Sequence, residues 1–302
     1  MANVPFLTSA HDALYRHLRV EPHCDILIDR MAAADLGDEL TIWRNRGESV
    51  ALSDTLFATM PEQSPLLLRL TLDDIELTEQ LLDRTQTEAM TGSPTRSVCA
   101  FLFSHAPLAQ LAKHLSTHLN AYMEGFGAIY FRYFDPRVWP HLQRIATPIQ
   151  MHHLFGDLSA WLCMDSQGRL QTYTRPPEPH LAEVTSPRIR PTYSAAQWQQ
   201  IERIETVNLT LQRLQQSGIP LPELARADEA VAVAATRVDA QGDQVTYSAY
   251  ALAHGGTFTE HKQLAEALRL AHEHDIPLAD VIEDRLQLAL DPALPDTPLL
   301  QP

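Results

Sequence analysis

Glycine is scarce in this chain, 11 of 302 residues, which leaves few places where backbone can approach a nucleotide closely. There is no G-x-x-x-x-G-K-S/T loop to cradle phosphates, no G-x-G-x-x-G after a strand and no G-x-S-x-G nucleophile elbow. Cysteine is rarer still. Cys24, Cys99 and Cys163 are odd in number, far apart and set in apolar runs such as Val98-Cys99-Ala100-Phe101, which suits buried, reduced thiols rather than a disulfide framework. Only Lys113 and Lys262 are lysines, and the 23 basic residues stand against 38 acidic ones for a net charge of −15. Without clustered basic residues, phosphate neutralisation fails, so no nucleic-acid partner is expected. No segment approaches the ~18 apolar residues of a membrane span, and the first ten residues lack a basic stretch followed by an apolar one. The expectation is a soluble cytoplasmic chain with no membrane insertion.

What is there can build a core: 45% of residues are apolar and 20% charged. Residues 1–174 alternate helical and strand patterns, which predicts an α/β (α+β) domain with a mixed sheet and flanking helices. Ser9 and Asp12 resemble a capping box opening a helix with Leu14, Leu18 and Val20 on one side. Strands are expected at Cys24–Ile28, Val50–Leu52, Pro65–Leu70, Ser97–Phe103 and Ala128–Phe134, and helices around Asp73–Arg84 and Pro107–Met123. Trp161–Met164 and Leu170–Tyr173 flank Asp165-Ser-Gln-Gly168 as a hairpin. Prolines 176, 177, 179, 187 and 191 mark residues 175–193 as a linker or strap. A smaller all-helical lobe follows over 194–290. It opens on Ser194 and Gln197 as a capping box, runs through Trp198, Ile201, Ile204 and Leu211 to Gly218, and has a third box at Thr257–Glu260 opening a helix through Leu264, Leu268 and Ala271, and a last helix over Pro277–Leu290. Residues 291–302 read as a frayed tail.

The fourteen histidines carry the best argument for an enzyme. His114 and His118 have the i, i+4 spacing that can present two imidazoles to one metal ion, but Leu115-Ser116-Thr117 between them lacks the Glu of H-E-x-x-H and no third ligand is indicated. They read as two half-exposed helix histidines. His152-His153 and His272-x-His274 read as surface residues, and His254-Gly255-Gly256 as a helix C-cap. No catalytic residue, cofactor site or metal site is assembled by the sequence.

One segment stands apart: Ala128-Ile-Tyr-Phe-Arg-Tyr-Phe-Asp-Pro-Arg-Val138, with four aromatics in five positions. Asp135 can N-cap the next helix, Pro136 suits its first position, and Pro140 makes that helix start late or kink. An alternating strand would turn Arg132 to the face of Tyr130 and Phe134, where a buried guanidinium needs a carboxylate partner. A core strand with a well-made cap is the plain reading of these residues.

Tyr130-Phe131-Arg132-Tyr133-Phe134-Asp135-Pro136-Arg137-Val138 also resembles the F-R-F-Y-D-P-R-V signature of the bacterial type VI secretion effector chaperones, or adaptors (the Tap/TEC family). Ser64-Pro-Leu-Leu-Leu-Arg-Leu70, Ser97-Val-Cys-Ala-Phe-Leu-Phe-Ser104, the stretch Leu108 to Leu119 and Trp161 through Gly168 resemble further family segments in the same order, so the likeness runs from about residue 12 to 174. Beyond it only Ser194 to Trp198 resembles the family, in its s-x-x-q-w opening. The resemblance implies an α/β scaffold with a helical lobe and no enzymatic activity. It implies a protein that binds a cognate secreted effector and helps load it onto the VgrG spike or a PAAR-type tip, as a monomer forming a 1:1 complex.

On that reading Arg132, Asp135 and Arg137 hold the scaffold together, and the apolar stripe of Trp198, Ile201 and Ile204 beside the linker is a candidate client contact. Two alternatives compete. One is a metal-dependent hydrolase using the histidines with Asp29, Asp157 or Glu124, which stoichiometric metal in the purified protein would favour. The other is a structural assembly protein with no dedicated client, which would form a stable oligomer by itself.

Overall fold

The structure, a computed structural model, describes residues 10–33, 36, 41, 48–93, 95–123, 127–177 and 192–290. Ser9, Glu124, residues 178–191 of the expected strap and the expected tail 291–302 lie outside the described residues. The chain divides into two compact units, Met1–Gln197 and Trp198–Pro302.

The first unit is built on a six-stranded sheet. Its strands are β1 His23–Ile28, β2 Ser49–Ala51, β3 Leu66–Thr71, β4 Val98–Ser104, β7 Leu158–Met164 and β8 Leu170–Thr174, in the order β2-β3-β1-β4-β7-β8. Two further strands, β5 Asn120–Met123 and β6 Gly127–Tyr130, pair with each other as a separate hairpin. Every pairing is antiparallel, so the sheet is not the mixed one expected. The physical reason is burial. β4 is buried along its whole length and β7 at all but one position, so both read as continuous apolar runs, a pattern shared with parallel strands.

Period-two alternation divides the sheet's side chains between two faces. Ile26, Leu68, Phe101, Phe103, Ala160 and Leu162 form one core with Leu14 and Leu18 of α1 (Ala10–Leu18) and Leu81 and Leu82 of α2 (Ile75–Met90). Leu27, Leu67, Leu102 and Trp161 fall on the opposite face, where Trp161 stacks on Trp139 at 3.8 Å and 6°. Trp139 opens α4 (Trp139–Ile145), and α3 (Leu108–Ser116) and α5 (Pro148–Phe155) complete the helices of this unit before α6 (Ala195–Glu202). A charged pair interrupts the second face. Arg69, directly opposite Asp25 in the β1–β3 register, donates Nε and Nη2 to Asp25 Oδ1 and Oδ2 at 2.7 and 2.8 Å, and Asp25 is fully buried.

The second unit is helical: α7 Ile204–Gln216, α8 Leu224–Ala234, α9 Gln241–His254, the single turn α10 Gly256–Thr259, α11 Leu264–His274 and α12 Leu278–Leu286. α9 runs through its middle, with Val245 to Tyr250 all buried and Tyr250 donating its hydroxyl to Glu283 at 3.1 Å.

Several expectations change. Val20 is 81% exposed, because α1 ends at Leu18. The helix expected to reach Met123 stops at Ser116, and 120–123 form β5 instead. The expected strand 128–134 ends at Tyr130. The Ser194–Gln197 box is formed, Ser194 N donating to Gln197 Oε1 at 2.9 Å, but its helix breaks at Arg203 and resumes as α7. Thr257–Glu260 caps nothing: Gly255, at φ 55°, ends α9, α10 lasts one turn, and α11 starts after Gln263. His254-Gly255 does end a helix, α9, as its C-cap reading implies, whereas α5 and α8 were not anticipated, although Thr147, Pro148 and Gln150 form a complete capping box.

Removing Arg69 leaves the Asp25 carboxylate buried with its chief partner gone. Arg69→Ala is expected to cost about 3–5 kcal/mol in urea unfolding; a loss under about 1 kcal/mol would show that the pair does not anchor β1 to β3.

Candidate functional site

The signature segment is a wound turn rather than a strand. β6 stops at Tyr130, Phe131 N still pairs with Leu119 O at 2.8 Å, and from Arg132 the backbone coils through Asp135 into α4. Asp135 O accepts from Val138 N and Trp139 N at 2.8 and 3.0 Å. Asp135 therefore stands one turn ahead of the helix and is not its N-cap, which is Val138; Pro140 falls in the first turn, which starts late. Pro136 is buried within the turn.

The side chain of Asp135 organises this turn. Its Oδ1 accepts from Arg137 N and Nε at 2.9 and 3.0 Å, and its Oδ2 from Arg137 Nη2 at 2.7 Å and Arg132 Nη2 at 3.4 Å. Burial alone would raise this carboxyl. The hydrogen bonds and charge of Arg137, with the charge of Arg132, outweigh it and hold the group below its ordinary value. Arg132 reaches further, donating Nη2 to Asp29 Oδ2 at 2.7 Å. Asp29 follows β1 directly, is 3% exposed, and also accepts from Met31 N at 3.0 Å. The expected carboxylate partner of Arg132 is thus found, and its guanidinium lies over the Phe134 ring, 5.9 Å from the centroid.

A third cation lies close by. Arg96, 4% exposed, donates Nη1 to the carbonyls of Ser93 and Glu88, and burial, reinforced by the charge of Arg137, lowers its pKa. Sequence reasoning missed Arg96 and Glu88; Glu88 has the i,i+4 spacing with Arg84, their Nε–Oε1 distance being 3.2 Å, but no local pattern marks Arg96, which meets the end of α2 only through the turn before β4.

The aromatics of the segment are structural. Tyr133 is fully buried, donates its hydroxyl to Leu115 O at 2.9 Å and lies 6.2 Å from the Trp161 ring. Phe131 packs edge-on against Tyr193 at 5.7 Å. Tyr130 alone reaches the surface, against Phe57.

Among the described residues the remaining candidates do not assemble into a reaction centre. His118 is buried at 2% exposure, not half-exposed, with its ring 4.8 Å from His114 and 5.8 Å from Tyr133. His114 shares a hydrogen bond with Leu154 O at 3.1 Å, and burial lowers its pKa. Gly156 permits that contact, because a Cβ there would lie 2.5 Å from the His114 ring. His152 contacts Pro176 O and Arg175, and its ring lies edge-on to that of His153 at 6.5 Å. Asp157 accepts from Gln110 at 3.0 Å. Among the described residues no three His, Cys, Asp or Glu side chains are placed to hold a metal ion. The three thiols are buried and free, and burial pushes Cys24 and Cys99 well above their ordinary values. In the second unit Trp198 and Ile204 are buried and Ile201 half-buried, so the stripe expected to meet a client is already covered. Its spacing is that of any helix face turned inward, which is why the sequence could not separate the two roles.

The Asp135 cluster makes a pH-dependent prediction. Because the folded carboxyl titrates below the unfolded one, its contribution is present above about pH 4 and is lost as pH falls through the lower folded value. Asp135→Asn should cost about 2 kcal/mol at neutral pH, discounted for the one-third exposure of both guanidinium groups. The gap from wild type should close progressively as pH falls below about 4 in parallel denaturation series; a gap that stays unchanged on acidification would contradict the assignment.

Among the described residues no helix is long and apolar enough to cross a membrane. No curated protein and no solved structure matches the chain. Residues 26–153, from β1 to α5 and including the whole signature turn, match the family model described as a domain of unknown function, DUF4123.

Proposed function

We propose that this chain is a non-enzymatic chaperone and adaptor that binds one type VI secretion effector before export and helps deliver it to the VgrG spike or a PAAR-type tip. The observation that carries the reading is the signature turn Tyr130–Val138, whose likeness to the effector chaperones lies within the stretch matched by the family model. The use of its residues agrees with such a role. Asp29, Arg132, Asp135 and Arg137 bind one another, Tyr133 and Phe134 are buried, and none of these groups is left poised for proton transfer or nucleophilic attack. An adaptor needs a rigid scaffold that presents binding surface, and makes or breaks no bond. In this role the chain acts in the cytoplasm as a monomer that takes up one client.

The test is co-purification from the native host at low salt, with the tagged chain as bait, mass spectrometry of everything retained and light scattering to fix stoichiometry. A secreted toxin, or a VgrG or PAAR protein, held near 1:1 is the expected result. A folded bait that retains none of these in cells expressing the secretion system would overturn the reading, and a stable homo-oligomer would favour an assembly protein instead.

A further inference from the structure

The edge of the six-stranded sheet at β2 is built to take another strand. Glu48 O accepts from Arg69 N, and Leu52 N donates to Pro65 O, each at 2.8 Å. With Val50 opposite Leu67 between them, Glu48, Val50 and Leu52 turn their peptide groups toward β3. By the period-two rule Ser49 and Ala51 turn theirs outward, away from the sheet. The next outward amide, Ser53 N, shows what that edge can bind: it donates to Ser116 Oγ at 2.9 Å, at the end of α3. Ala51 itself is exposed.

Beside this edge lies a groove of about 370 Å³. One wall is Val50, Ala51 and Ser53, and the other is the face of α3 that carries Ala109, Ala112 and Lys113. The small side chains let a backbone come close. Asp54, at the rim, is already engaged, accepting from Leu56 N at 2.9 Å and from the Asn120 side chain. Lys113 is different: it is exposed, and among the described residues its ammonium has no hydrogen bond or ion pair. In a chain of net charge −15 with two lysines, an unengaged ammonium in a groove favours a carboxylate from a partner.

We propose that this groove receives an extended segment of the client polypeptide, which pairs with β2 as a seventh strand and sets an acidic side chain against Lys113. Main-chain bonds to Ser49 and Ala51 supply affinity, and the charge sets register and preference. The inference rests on the chaperone reading and names the surface and the chemistry of its partner.

Two variants separate the elements. Ala51→Pro deletes an outward N–H without touching a β2–β3 bond, a position where an edge strand tolerates proline. Lys113→Glu reverses the charge at an exposed helix site. The probe is a phage library of random dodecamer peptides panned on the full-length chain, with the leading peptide then synthesised and labelled for fluorescence anisotropy. Selected peptides are expected to alternate β-branched or apolar residues with others and to carry Asp or Glu. Ala51→Pro should weaken the leading peptide about tenfold or more, at an unchanged melting temperature. Lys113→Glu should abolish the preference for acidic over neutral versions. Failure to enrich any peptide, or equal binding to wild type and both variants, overturns the proposal. The same variants used as bait in the native host keep the two readings apart. A client held equally by all three proteins refutes the groove and leaves the adaptor standing, whereas no client on the wild type refutes the adaptor itself.

Discussion

The Asp135 carboxylate sits almost out of water and is stable there only because guanidinium and peptide N–H groups surround it. That requirement fixes much of the first unit. Arg137 must fold back over its own turn, and Arg132 must extend to Asp29, so the turn is tied to the end of β1. With the turn held, Tyr133 lies near Trp161 and Trp139 stacks on it, closing the second face of the sheet. The charged residues of the signature are therefore what places its aromatic ones. This explains why so conspicuous a segment presents little to solvent.

With the signature engaged internally, the proposed client contact falls on other surface. The buried thiols, the paired carboxylates and histidines such as His114, which is joined to Leu154 O, offer no activated group. What the first unit does present is backbone: a strand edge at β2, with peptide groups aimed outward and a lysine beside them. Under the proposed function, a surface of that kind would recognise an extended chain by its main-chain pattern.

Local patterns revealed the parts of this fold that are locally determined. Cys24–Ile28, Pro65–Leu70 and Ser97–Phe103 could be read as strands because each is a short, largely apolar run bounded by polar or turn residues. The Asp165–Gly168 turn and the Ser194–Gln197 cap could be read because their hydrogen bonds close within four residues. What was not legible depends on distance. Asp25 and Arg69 each interrupt an apolar run, and that signal could have paired them, but only the sheet register brings them opposite. Asp29 was visible as a carboxylate, yet its partner stands 103 positions away. The segment 128–134 alternates well enough for a strand; the pull of Asp135 on Arg132 and Arg137 coils it from Arg132 onward. Trp198 and Ile204 show the converse limit, since a stripe that docks a partner and one that packs inward have the same spacing.

Amide hydrogen exchange on the full chain, alone and in complex with its co-purified client, tests the central claim most directly. The account predicts that the amides of Arg137, Val138 and Trp139 are already protected in the free chain and unchanged by the client, while new protection appears at Ser49 and Ala51 and along 109–117. Rapid exchange at 137–139 in the free chain, slowed only when the client binds, would mean that the signature turn is itself the binding surface and would contradict the account.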